Sequence, residues 1–111
     1  MKEYFSYYSE EIPIEKVFEL NGRILLDLYI DSSEVERLNI FFHLQNEYFY
    51  LKNKNRVKET AYICYLISCY IFSIATPPHS EELALEYAKM ALELEDKKLY
   101  RDWIEEVKAG N

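Results

Sequence analysis

A chain of 111 residues is the size of one domain and can bury a single core without disulfide or metal staples. Half of its residues are hydrophobic, which excludes wholesale disorder, and its net charge of -7 repels phosphate backbones, which makes nucleic acid a poor partner. Two glycines and three prolines leave few places for tight turns, so the composition points to long helices with short links.

The first eleven residues carry Tyr4, Phe5, Tyr7 and Tyr8 and read as a short helix docking its rings on the core, with a frayed tail as the alternative. Pro13 opens the next element, where its missing N–H is no loss. Two readings compete over residues 14–30. Asn21-Gly22 lies between apolar stretches in which Ile24, Leu26, Leu28 and Ile30 alternate, the signature of a β-hairpin. Glu15, Lys16, Glu19, Arg23 and Asp27 instead gather on one arc of a helical wheel, with Glu19 and Arg23 in the favourable order four apart. Helix is the preferred reading, at a cost of ~1 kcal/mol for its interior glycine, and the hairpin stays open.

Ser32 or Ser33, the latter forming a capping-box pattern with Glu36, starts a helix running from Val35 to about Asn53. Its Leu38, Phe41, Phe42, Leu44, Tyr48, Phe49 and Leu51 occupy more than half the circumference, so the helix is expected to be sandwiched. Glu36, Asn39, His43, Asn46 and Glu47 form the remaining polar face. The basic cluster Lys52, Lys54, Arg56 and Lys58 reads as a solvated link to the next helix.

No acidic or basic residue other than histidine lies between Glu59 and Glu81, and residues 62–72 are apolar on nearly every face of a helix, so this helix is buried in protein or in lipid. The stretch before Pro77 falls short of the ~20 residues of a membrane span, and Tyr62, Tyr65, Ser68, Tyr70 and Ser73 would carry hydroxyls into it, which favours the core of a soluble domain. Ala61, Cys64, Ser68 and Ala75 share a face along which a second helix can approach closely. Pro77-Pro78 stops the first helix, Ser80 is the expected N-cap of the second, and Glu81 and Glu82 fall in its first turn. Ala84, Tyr87, Ala88, Ala91 and Leu94 then form one face, opposite a stripe of Glu82, Glu86, Lys89 and Glu93.

The run from Ser80 to Glu95, with Ala84 and Ala91 at the family's two alanine positions and Ala-Leu-Glu-Leu-Glu at its end, resembles the second helix of a tetratricopeptide repeat. Carried back over residues 56–95, the resemblance puts the small consensus residue on Ser68 and a neighbouring aliphatic on Ile67, and departs from the family at Cys64, Ile71, Ala88 and Asp96. It implies an antiparallel helix pair whose concave face, here Tyr62, Tyr65, Cys69 and Phe72, receives a protein or peptide ligand. The same face could serve as the seam of a homodimer. Beyond it, Asp96 is expected to cap a last helix in which Leu99, Tyr100, Trp103, Ile104 and Val107 make a single stripe ended by Gly110, covering the open side of the pair as a capping helix does.

The expected fold is therefore an all-α, single-domain bundle of about five to six helices spanning residues 1–111. Cys64 and Cys69 point about 140° apart on one helix and read as reduced, buried thiols, which with no secretory signal suggests a cytoplasmic protein. No phosphate loop, nucleophile elbow or metal-ligand spacing is present, so neither cofactor nor metal is expected. The functional reading is a non-enzymatic protein–protein interaction module of the inhibitor, immunity-factor or adaptor type. Two alternatives stand beside it. Arg37 and His43 match the loose arginine-then-histidine spacing of small helical ribonucleases resembling the HEPN family, which suggests such a ribonuclease or its partner although the wheel sets the two about 120° apart, and the 62–74 helix offers a membrane-associated protein.

Overall fold

Two side chains that satisfy free backbone N–H groups decide where the first two helices begin. In the computed structural model, which describes residues 1–6 and 8–110, Asn21 caps helix α1 (Gly22–Ile30) and Ser33 caps helix α2 (Glu34–Asn53). The Ser33 hydroxyl accepts from the Glu36 N–H at 3.3 Å while the Glu36 carboxylate accepts from the Ser33 N–H at 2.9 Å, the reciprocal box expected from the sequence. Helix α3 (Val57–Cys69) runs on through a π-helical turn (Tyr70–Ala75), followed by α4 (Ser80–Leu94) and α5 (Lys98–Ala109). Two 3-10 segments, Lys2–Phe5 and Ile14–Glu19, precede α1, and no strand occurs among the described residues. The fold is an all-α bundle, as composition implied. Tyr7, read above as one of the N-terminal rings, lies outside the described residues.

Residues 14–30 are neither the hairpin nor the unbroken helix. Asn21 Oδ1 accepts the Ile24 N–H at 3.0 Å, which makes Asn21-Gly22 a helix start, and Leu20 is extended. The break has a tertiary cause: the Leu20 side chain is fully buried and its carbonyl accepts the Tyr62 hydroxyl at 2.6 Å, so that oxygen is engaged by α3. Two smaller corrections concern caps. His79, not Ser80, precedes α4, and Lys97, not Asp96, precedes α5, neither with a side-chain cap; Asp96 instead pairs with Arg101.

Helix α3 is the centre, packed by α2 and α4, with α5 on α4. Ala61, Cys64 and Ser68 face α4, whose Ala84, Ala88 and Ala91 are buried, so small residues meet small residues. At the crossing, Ser68 Oγ donates to the Ala84 carbonyl at 2.6 Å and accepts from Trp103 Nε1 of α5 at 2.8 Å. Tyr100, Ile104 and Val107 are the buried members of the α5 stripe, Leu99 is exposed, and Gly110, at φ 75°, ends the helix in a conformation suited to glycine.

The sandwich expected for α2 does not form. Its inner face, Ile40, Leu44, Glu47, Tyr48 and Leu51, is buried, while Val35, Leu38, Phe42 and Phe49 on the outer side are exposed. Among the described residues no element covers them, since α4 reaches α2 beside this row, where the Gln45 amide donates to the Tyr87 hydroxyl. The link to α3 is the exposed basic connection expected, except that the Arg56 guanidinium holds buried Glu59 at 2.7 Å.

Two substitutions check this framework. A Cβ at Gly22 would meet nothing within 4 Å, and the residue opens a right-handed helix, so Gly22→Ala is expected to stabilise the fold by about 0.4–1 kcal/mol and raise the thermal midpoint; a drop would contradict the helix start. Ser68→Ala, which strands Trp103 Nε1 and the Ala84 carbonyl contact, should cost about 1–3 kcal/mol in chemical denaturation. Ser68→Phe should cost more, because a ring would force α3 and α4 apart.

Candidate functional site

The face expected to receive a ligand is brought together and partly covered by the chain itself. Phe72 is buried, and Tyr62, Tyr65 and Cys69 are half-buried. Rings from α5 lie against them: Tyr100 and Trp103 stand 5.4 and 6.1 Å from Tyr65, and Trp103 meets Phe72 edge-on at 5.7 Å. Phe18, from the second 3-10 segment, packs on Tyr62 at 5.1 Å. These rings cover part of the face, and Tyr62, Tyr65 and Cys69 keep intermediate exposure beside them. Sequence pattern could not show this, because one aromatic row looks the same under a ligand as under a fifth helix.

The thiols are equally unsuited to chemistry. Burial pushes both Cys64 and Cys69 up to about 12, so neither is a thiolate near neutral pH, and burial raises the Tyr65 hydroxyl as well. Arg37 and His43, the residues of the ribonuclease alternative, are not brought together. Arg37 lies over the Tyr29 ring at 4.1 Å and donates from Nε to the Tyr29 carbonyl at 2.9 Å, whereas His43 meets Phe5 edge-on at 5.8 Å and lines a separate shallow recess with Asn39 and Asn46. Among the described residues no group of three or more His, Cys, Asp or Glu could hold a metal ion.

The open apolar surface lies elsewhere. The outer side of α2 presents Val35, Leu38, Phe42 and Phe49, which are 69%, 65%, 62% and 54% exposed. Their spacing of three, four and seven residues sets them in one row along the helix. Beside the row, α1, α2, the π turn and α4 enclose a groove of about 570 Å³. Leu38 and Phe42 form one lip, Leu83 and Pro77 the other, and Tyr29, Tyr70 and Ile71 lie between them. The π turn contributes to this shape: it closes with Thr76 N–H on the Ile71 carbonyl, five residues back at 3.0 Å, and ends in a left-handed Thr76 at φ 42°. The Tyr70 hydroxyl donates to the Arg37 carbonyl at 2.8 Å, tying the floor to α2.

No protein-family model matches the chain, and comparisons with curated proteins and with solved structures return no match. One helical stretch, Val57–Ala75, is long and apolar enough to cross a membrane by length and composition, and 61% of its most apolar window is buried inside the fold.

One ionisable group on α2 is held against its ordinary state. Glu47, which the helical wheel assigned to the polar face, is 2% exposed; its Oε1 accepts the Ile12 N–H at 2.7 Å and its Oε2 has no partner. Burial pushes its carboxyl up to about 7, the Ile12 N–H opposes this, and the nearby Glu11 charge adds to it. Because the folded value lies above the unfolded one, Glu47 contributes stability that is present below the ordinary carboxylate range and lost as pH rises through about 7. Glu47→Gln retains an acceptor for Ile12 without a charge. Melting curves should therefore show the variant gaining on the native chain at pH 8 and losing that advantage at pH 5; a constant difference across pH would mean that Glu47 is ionised throughout.

Proposed function

We propose that this protein is a non-enzymatic interaction module that binds another polypeptide through the outer face of α2 and the groove beside it. The observation that carries the reading is the exposed row of Val35, Leu38, Phe42 and Phe49. Single exposed hydrophobic side chains are ordinary, but an aligned row next to an apolar groove is the surface a helix or apolar segment of a partner buries. Phe42 and Leu38 belong both to the row and to the groove lip, so they are the central contacts. The tetratricopeptide-like character of residues 56–95 supports the reading at the level of class, since small residues at Ser68 and Ala84 serve close helix packing in an interaction scaffold. Its ligand face shifts from the Tyr62 side to the α2 side. The free state of both cysteines agrees with a reducing, cytoplasmic setting.

Aspartate at both central positions separates binding from folding. Leu38→Asp/Phe42→Asp should leave the melting temperature nearly unchanged, since both side chains are mostly exposed, and should abolish retention of a polypeptide that the native chain holds in affinity capture read by mass spectrometry. Equal retention by both proteins would remove the surface from consideration, and collapse of the fold would show that the row is core.

A further inference from the structure

The row on α2 is complementary to its own reversed copy. Resting on the interaction reading above, we infer that the polypeptide it binds is a second copy of this chain, packed α2 against α2 in antiparallel about a two-fold axis. Helix α2 extends from Glu34 to Asn53. An axis through its midpoint sets Leu38 opposite Phe49 of the second copy, Phe42 opposite Gln45, and Val35 opposite Lys52. Leu38 and Phe49 of the exposed row thus meet each other twice, Val35 meets the Lys52 stem, and Phe42 lies over Gln45, a half-buried side chain whose amide donates to the Tyr87 hydroxyl of α4, so the face pairs with itself as a two-fold interface requires. The two central Phe42 rings lie side by side across Gln45, and each Leu38 is covered by a Phe49 ring at the lip of the groove.

Charge chooses the direction. Glu34 and Lys52 lie on the same side of the helix at its two ends, both exposed, and neither forms an ion pair within its own chain among the described residues. Parallel pairing would set Glu34 beside Glu34 and Lys52 beside Lys52. Antiparallel pairing sets Glu34 beside Lys52 twice. The exposed basic residues Lys54 and Lys58 strengthen the positive end, and Arg37 at the other end is held on the Tyr29 ring, so the Glu34 and Lys52 charges attract across this helix although each chain carries -7 overall. A twenty-residue helix about 30 Å long gives the row enough length for three turns of contact on either side of the axis.

Sedimentation equilibrium of the full chain tests the inference. The native protein should move with concentration from 13.4 kDa towards twice that mass. Phe42→Asp should weaken self-association at least about thirtyfold with the melting temperature retained. Glu34→Lys and Lys52→Glu should each weaken it about tenfold, because each acts at two symmetric contacts, and the double exchange Glu34→Lys/Lys52→Glu should restore it. A native chain that stays monomeric overturns the inference, as does a dimer indifferent to Phe42→Asp or an exchange that fails to restore pairing. If the native chain is monomeric yet Leu38→Asp/Phe42→Asp still releases a captured polypeptide, self-pairing alone falls and the interaction reading stands.

Discussion

One hydroxyl joins three helices. Ser68 Oγ gives its proton to the Ala84 carbonyl and takes the indole N–H of Trp103, so a single buried atom sets how closely α3 and α4 approach and where α5 crosses them. Only a side chain this small, with one donor and a free lone pair, can do both in the space that Ala61, Cys64, Ala84 and Ala88 leave. With Trp103 held there, α5 falls across Tyr65 and Phe72 and closes that flank. Among the described residues, the outer side of α2 stays uncovered.

The tie from the N-terminal segment is of a different kind. Two hydrogen bonds, Ile12 N–H to Glu47 and Tyr62 O–H to the Leu20 carbonyl, bridge 35 and 42 residues and pin the segment to α2 and α3. Both break the regularity of the segment they hold. Leu20 surrenders its carbonyl and turns extended, and Glu47 enters a buried site in which one of its oxygens is matched by the Ile12 N–H. Buried polar groups with distant partners give this part of the fold its specificity and also make it sensitive to protonation.

What could be read from the sequence is what depends on a few neighbouring residues. The Ser33 and Glu36 box, the Gly110 stop and the small-residue face of Ala84, Ala88 and Ala91 are local chemistry, and the structure has them where the pattern puts them. That the Ser68 face would take a second helix closely was also legible, because two runs of small residues joined by a short Pro-Pro link have few ways to pack. Coverage was not legible. Rows of rings on α2 and α3 are alike as patterns, but α5 covers the one at Tyr65 and leaves the one at Phe42 bare, a choice made by contacts far apart in the chain. Glu47 was misassigned for a related reason: on the wheel it borders Ile40 and Leu51, and only the arrival of Ile12 decides that it is inside.

The end charges of α2 serve two purposes at once. Glu34 and Glu36 sit where the helix macrodipole is positive, and Lys52 where it is negative, so they stabilise the isolated helix. A helix that compensates its own dipole in this way has a negative head and a positive tail, and such an object attracts its own inverse. In the proposed pairing, helix stability and self-recognition draw on the same side chains in α2. Neither can be tuned by mutation at those positions without shifting the other, which couples the persistence of the fold to the company it keeps.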